Sequence, residues 1–134
     1  MDDDLFISRT ALAARLGQAG APLILDVRRP ERFDASTHQV AGALRALPPA
    51  DNDRDVVVYC VYGHEVSQSA ARELRAAGRR AWALEGGIEG GEPGVDDPAF
   101  IERVRSEPLL LERRQRNDDP GGADARAVLC RRPA

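Results

Sequence analysis

Short apolar runs alternate along the chain with stretches whose apolar residues recur at helical spacing. Four runs have the length of a single strand, at residues 5–7, 23–25, 56–59 and 81–84. Helices are indicated between and after them, from Ser8 to near Gly17 or Gly20, at residues 30–33 and at residues 68–77. The run at 56–59 has no apolar–polar alternation, so we expect both of its faces to be covered, as in a parallel sheet. The order of strands and helices predicts an α/β fold with a mostly parallel, doubly wound sheet flanked by helices.

Between and after these elements the pattern is weaker. Residues 38–45 indicate a loop with a short strand near residues 43–44. After Gly91 the apolar spacing is interrupted, and a further helix is indicated at residues 98–105. We therefore expect one domain over residues 1–91 and an extension over residues 92–134, partly helical and then without regular structure.

Composition narrows the class of function. A chain of 134 residues with 43% hydrophobic and 31% charged residues fits one globular domain. Its net charge of -3 gives no support for nucleic acid as a ligand. All 19 basic residues are arginine, which excludes Schiff-base chemistry and a phosphate loop that needs lysine. The acidic start is unlike a signal peptide, and no apolar stretch approaches the ~20 residues that cross a bilayer, so we expect a cytoplasmic protein without membrane contact.

Two cysteines are present, Cys60 and Cys130, and neither belongs to a zinc or disulfide motif, so no metal is expected. Cys60 directly follows the run at 56–59 and comes just before a helix. Backbone amides and the helix dipole at such a position favour a thiolate and a bound anion. The sequence therefore indicates a nucleophile at Cys60, with a buried structural cysteine as the alternative.

Four segments, in order, resemble the rhodanese-like (sulfurtransferase) domain family. They are Leu-Asp-Val-Arg-Arg-Pro-Glu-Arg-Phe at 25–33, His-Gln-Val-Ala-Gly-Ala at 38–43, Val-Val-Tyr-Cys-Val-Tyr-Gly at 57–63 and Leu-Glu-Gly-Gly-Ile at 84–88. The resemblance implies that Cys60 takes a sulfur atom from a small donor and passes it, as a persulfide, to a thiol, cyanide or protein acceptor, with no cofactor. It also implies that backbone amides after the cysteine stabilise the charge, so the candidate substrate-binding residues are Val61, Tyr62, Gly63, His64, Glu65, Val66 and Ser67.

The loop departs from the common family pattern. The Ala-Ala pair after the cysteine, at residues 70–71, lies one residue later than usual, which predicts an enlarged loop of seven positions at 60–66. Such loops resemble those of cell-cycle phosphatases and arsenate reductases, but Val66 replaces the arginine that clamps an oxyanion there, which argues against phosphatase activity. Glu65 would oppose an anionic donor such as thiosulfate.

Two other functions therefore stay open. One is an oxyanion-handling redox protein of the arsenate or chromate type, because the segment from Cys60 to Ser67 is similar to loops of rhodanese modules associated with chromate resistance. The other is a non-catalytic rhodanese-like interaction module, against which the presence of Cys60 argues.

The remaining polar side chains have a structural and a functional interpretation each. His64 could supply charge or a proton beside the thiol, or face solvent. Ser67 is expected to cap the helix or satisfy a loop amide. Asp26 and Arg28 are expected to support the loop end of their strand. Cys130 is expected to be an incidental tail residue, with a sulfur-accepting thiol as the alternative.

Overall fold

The computed structural model describes residues 4–48 and 53–114. Ten elements follow in chain order: β1 (Phe6–Ile7), α1 (Arg9–Arg15), β2 (Leu23–Asp26), α2 (Pro30–Ala35), β3 (His38–Val40), β4 (Val56–Tyr59), α3 (Glu65–Ala76), β5 (Ala81–Leu84), α4 (Pro98–Ser106) and β6 (Leu111–Arg113). Cys130 lies outside the described residues. In the part of the chain that is described, no helix combines the length and apolar character that crossing a bilayer requires.

The main sheet has four parallel strands in the order β1-β5-β4-β2. Alternate residues of β4 point into two separate apolar cores: Val56 and Val58 pack with Ala71 of α3, and Val57 and Tyr59 pack with Leu12 of α1. All four β4 side chains are buried. The prediction of a mostly parallel sheet covered on both faces is confirmed, and the absence of alternation at 56–59 has this arrangement as its cause.

The prediction for residues 38–45 was wrong in its detail. The strand lies at His38–Val40 and pairs antiparallel with Leu111–Arg113 in a separate two-stranded sheet. Near residues 43–44 there is only an isolated bridge between Leu44 and Leu25. Three residues have too little pattern to predict a strand, and here the partner strand is about seventy residues away in the sequence.

Helix α3 begins earlier than predicted. Its first residue is Glu65 rather than Gln68, with His64 at the N-cap position. Gly63 precedes it with a φ of 78°, a left-handed conformation that glycine adopts without strain and that turns the chain into the helix. Glu65, Val66 and Ser67 therefore form the first turn of α3, and residues 60–64 precede the helix.

The described part of the expected extension packs on the domain. Helix α4 lies where it was predicted, and the side chain of Asp97 accepts a hydrogen bond from the Ala99 amide at its start. Val104 of α4 is fully buried against the glycine-rich turn, where a Cβ on Gly86 would meet its side chain. Strand β6 then completes the small sheet with β3. The division at residue 91 stays a prediction.

Candidate active site

Cys60 lies at the carboxyl end of β4, one of the two inner strands of the main sheet, and is only 6% exposed. Its Sγ is 3.1 Å from the Oγ of Ser67, which is fully buried in the first turn of α3. The thiol can donate to this hydroxyl, and the hydroxyl can donate to a thiolate or a persulfide. Ser67 is thus a partner of the sulfur and not the helix cap that the sequence suggested.

A glycine-rich turn at residues 85–91 packs against the active-site loop and is hydrogen-bonded to it. The amide of Ile88 donates to the carbonyl of Cys60 at 3.0 Å, and the amide of Glu89 donates to that of Val61 at 2.9 Å. The approach is so close that a Cβ on Gly87 would lie 2.6 Å from the Cys60 oxygen. The backbone around the sulfur is therefore held by a second loop that only glycine allows at this distance.

Arg9 lies behind this turn and was not singled out in the sequence. Its Nη2 donates to the carbonyl oxygens of Gly87 at 3.2 Å and Ile88 at 3.1 Å. Burial lowers the pKa of Arg9, and the charge of Arg105 lowers it further. The side chain thus connects α1 to the turn that holds Cys60. Nothing in the local sequence distinguishes it from the other arginines, because its partners are backbone atoms about eighty residues away.

His64 is held by two carboxylates of the segment after the turn. Its Nε2 lies 2.9 Å from Asp96 Oδ2, and its Nδ1 lies 3.3 Å from Glu92 Oε1. Burial would raise the pKa of Asp96, but the hydrogen bonds from the Glu92 amide and the His64 ring outweigh it and lower that pKa. The ring therefore ties the start of α3 to residues 92–96, a contact that neither interpretation of His64 included.

Asp26 and Arg28 form a buried group beneath the site. Arg28 Nη2 lies 2.7 Å from Asp26 Oδ2, and the Tyr59 hydroxyl donates to the same oxygen at 2.8 Å. Burial raises the pKa of Tyr59, and the charge of Asp26 raises it further. Burial lowers the pKa of Arg28, but the hydrogen bond and charge of Asp26 outweigh it, and the net shift is upward. This group joins the ends of β2 and β4. Asp26 and Arg28 therefore support the strand ends through a buried ion pair and the hydrogen bond from Tyr59.

The other loop residues face different surroundings. Val61 lines a cavity of about 490 Å³ together with Arg32 and Glu89. The guanidinium of Arg32 also lies 5.5 Å from the centre of the Tyr62 ring. Glu65 and Val66 line a separate cavity of about 300 Å³ on the α3 side. Among the described residues, no group of three or more metal-ligating side chains is placed to hold a metal ion.

Comparison with known proteins assigns the family. The fold is a mostly parallel α/β domain with a cysteine at the carboxyl end of an inner strand, and the family model of the rhodanese-like domain matches residues 8–92. The chain belongs to the rhodanese-like domain family, as the four sequence segments indicated. None of the curated proteins compared with the chain matches it significantly.

Solved structures agree on the fold. A full-length protein from Lactobacillus plantarum is 26% identical, with a TM-score of 0.57 over 82% of this chain and 88% of that one. A rhodanese-related protein from Thermoplasma volcanium is 21% identical, with a TM-score of 0.51 over 78% and 95%. A thiosulfate sulfurtransferase from Pseudomonas aeruginosa is 20% identical, with a TM-score of 0.52 over 78% of this chain and 19% of that one.

Proposed function

We propose that the protein is a sulfurtransferase that moves a sulfur atom through a persulfide on Cys60. The observation that supports this most directly is the burial of the Cys60 sulfur at the end of β4, 3.1 Å from the Ser67 hydroxyl. The position lies at the N-terminus of a twelve-residue helix, where amides and the helix dipole favour negative charge. Membership of the rhodanese-like family supports the same chemistry.

The reaction has two displacement steps. The Cys60 thiolate attacks the outer sulfur of the donor, a new S–S bond forms, and the donor's own sulfur bond breaks. With thiosulfate as donor, sulfite leaves with the bonding electron pair. An acceptor thiolate or cyanide then attacks the outer sulfur of the persulfide, and the electron pair returns to Cys60. The two steps balance without an external oxidant or reductant.

The described residues give each step a means of stabilisation. The Ser67 hydroxyl can donate to the charged sulfur, and the backbone of Cys60 and Val61 is fixed by the glycine-rich turn. Glu65 is exposed in the first turn of α3 and lines the α3-side cavity, away from the cavity that Val61 lines. Its opposition to an anionic donor is therefore weaker than its place in the sequence suggests.

No comparable observation favours the oxyanion-handling function. From residue 60 to 67 the only side chain that can become cationic is His64, and both of its ring nitrogens contact carboxylates. An arsenate or chromate ion at this loop would have amides but no cationic side chain of the loop itself to clamp it.

The test is the intact mass of the full chain after thiosulfate and again after cyanide. We expect wild type to gain one sulfur atom and to lose it to cyanide as thiocyanate. The variants Cys60→Ser and Cys130→Ser separate the two thiols, because only the first should abolish the gain. Absence of a sulfur gain with both thiosulfate and an organic persulfide as donors would contradict the proposal, as would a gain retained in Cys60→Ser.

A further inference from the structure

The cavity of about 490 Å³ beside the active-site loop has the size of a small-molecule site. Two of its lining residues, Val61 and Glu89, connect it to the segment that follows Cys60. Val61 lines it directly, and Glu89 is bound to Val61 by a backbone hydrogen bond of 2.9 Å. Arg32 reaches the same place from α2, with its guanidinium 5.5 Å from the Tyr62 ring. A molecule in this cavity would therefore lie next to the nucleophile's loop.

Charged side chains of both signs line this cavity. Arg28 also lines it, but its charge is matched by Asp26 at 2.7 Å. Arg32 and Glu89 are both exposed, and neither side chain forms a salt bridge with the other or with any other charged group in residues 4–48 and 53–114. Within the described residues the cavity thus presents one cation and one anion that lie in no close ion pair, on walls contributed by α2 and by the glycine-rich turn, and the charge of Glu89 also acts on Arg9 behind that turn.

The rest of the lining is mixed. Ala35 of α2, Val61, Ile88 and Leu111 of β6 are apolar, and Ser36, Thr37 and His38 are polar. A ligand that uses both charges carries a carboxylate and an ammonium. Thiosulfate has only negative charge, so Glu89 would offset its attraction to Arg32. A thiol that carries the ammonium and carboxylate of an amino acid can bind Glu89 and Arg32 at the same time.

We propose, on the basis of the sulfurtransferase function above, that this cavity binds the acceptor, an amino-acid or short-peptide thiol, with its carboxylate on Arg32 and its ammonium on Glu89. Arginine suits the carboxylate because its planar fork can donate two parallel hydrogen bonds. The thiolate of the bound acceptor attacks the outer sulfur of the Cys60 persulfide. The new S–S bond forms on the acceptor, the Cys60 S–S bond breaks, and its electron pair returns to Cys60.

The experiment begins with protein already loaded with sulfur by thiosulfate and freed of excess donor. Four acceptors are compared at equal thiolate concentration: cysteine, 3-mercaptopropionate with the carboxylate alone, cysteamine with the ammonium alone, and 2-mercaptoethanol with neither. Loss of one sulfur atom is followed by intact mass. We expect cysteine to discharge the persulfide fastest, with each matched charge worth about fivefold in rate.

Two substitutions test which side chain binds which charged group of the acceptor. Arg32→Gln should slow discharge by cysteine and 3-mercaptopropionate about fivefold, and Glu89→Gln should do the same for cysteine and cysteamine. Discharge by 2-mercaptoethanol should not change in either variant. Arg29→Gln is the matched control, because Arg29 is an exposed neighbour that lines the α3-side cavity. Equal rates for the four acceptors, or equal slowing of all four by a variant, would overturn the proposal.

A binding measurement separates this proposal from the function on which it rests. S-methylcysteine has both charges but no free thiol, and its binding can be followed by NMR shifts of residues around the cavity. Failure to load sulfur would contradict the sulfurtransferase function, whereas binding that is lost in Arg32→Gln and Glu89→Gln would still support the site. Normal loading without acceptor preference or S-methylcysteine binding would remove the site alone.

Discussion

At the scale of single residues, the contact that most directly affects reactivity is the one between Cys60 and Ser67. We predict that Ser67→Ala slows alkylation of Cys60 by iodoacetamide about tenfold at pH 7, because a hydrogen bond to a charged group contributes roughly 1.5 kcal/mol. Loading with thiosulfate should slow by a similar factor. The measurement is the rate of mass increase in single-cysteine protein, in which Cys130 is replaced by serine.

Ser69→Ala is the control for this substitution. Ser69 is exposed two residues later on the same helix, so its removal tests any general effect on α3 without touching the sulfur. Equal alkylation rates in Ser67→Ala and Ser69→Ala would mean that the 3.1 Å contact has no influence on the thiolate.

Some of the site could be predicted from the sequence at this scale, and the reason is local. Cys60 stands out because a buried strand ends and a helix follows within a few residues. The partners of its neighbours could not be predicted in the same way. Asp96 meets His64 across 32 residues, and Arg9 meets the turn through backbone oxygens that every residue possesses. Such contacts have no signature in residue type or spacing.

At the scale of elements, the glycine-rich turn and the active-site loop act as one unit. Gly87 has a φ of 64°, and a Cβ there would lie 2.6 Å from both the Cys60 oxygen and the Gly63 nitrogen. We predict that Gly87→Ala forces the two loops apart, lowers the free energy of unfolding by about 3 kcal/mol and slows sulfur loading of the remaining folded protein at least tenfold. Urea unfolding and intact mass measure the two effects.

Gly42→Ala separates backbone strain from the loss of contact. Gly42 has a similar φ of 80°, but a Cβ there would meet no atom within 4 Å. It should therefore cost only about 1 kcal/mol of stability and leave sulfur loading unchanged. If the two variants lost stability equally and loaded sulfur equally, the close approach of the two loops would have no role in the chemistry.

The elements themselves were predictable to different degrees. Three of the four strands in the main sheet, β2, β4 and β5, have four residues each with a clear apolar pattern, and burial on both faces requires that pattern at 56–59. Strand β3 has three residues, and β6 is exposed along its whole length, so neither needs an apolar pattern to form. The start of α3 was misplaced because its first turn contains Ser67, whose polar side chain is buried for contact with the sulfur.

At the scale of the whole molecule, the two ends of β4 have different tasks. Its carboxyl end holds Cys60 and the candidate acceptor cavity. At its amino end, Asp55 pairs with Arg15 of α1 and with Arg80 just before β5. About five residues of strand separate the ends, roughly 16 Å. A change at Asp55 should therefore affect stability without affecting the chemistry.

The contribution of Asp55 to the free energy of unfolding depends on pH. Burial would raise its pKa, but hydrogen bonds and charge from Arg80 and Arg15 outweigh it and hold the pKa below the ordinary 3.8. A carboxylate with a lowered folded-state pKa stabilises the fold above its unfolded value, and this contribution is lost as the pH falls through the folded value. We predict that Asp55→Asn lowers the free energy of unfolding by about 1 kcal/mol at pH 7, with the difference from wild type shrinking as the pH falls below 3.8. Urea unfolding at pH 7 and pH 3 checks this, with Asp34→Asn as a surface control and sulfur loading at pH 7 unchanged in both variants. A difference that stayed constant down to pH 3 would show that Asp55 acts as a hydrogen-bond acceptor and not through its charge.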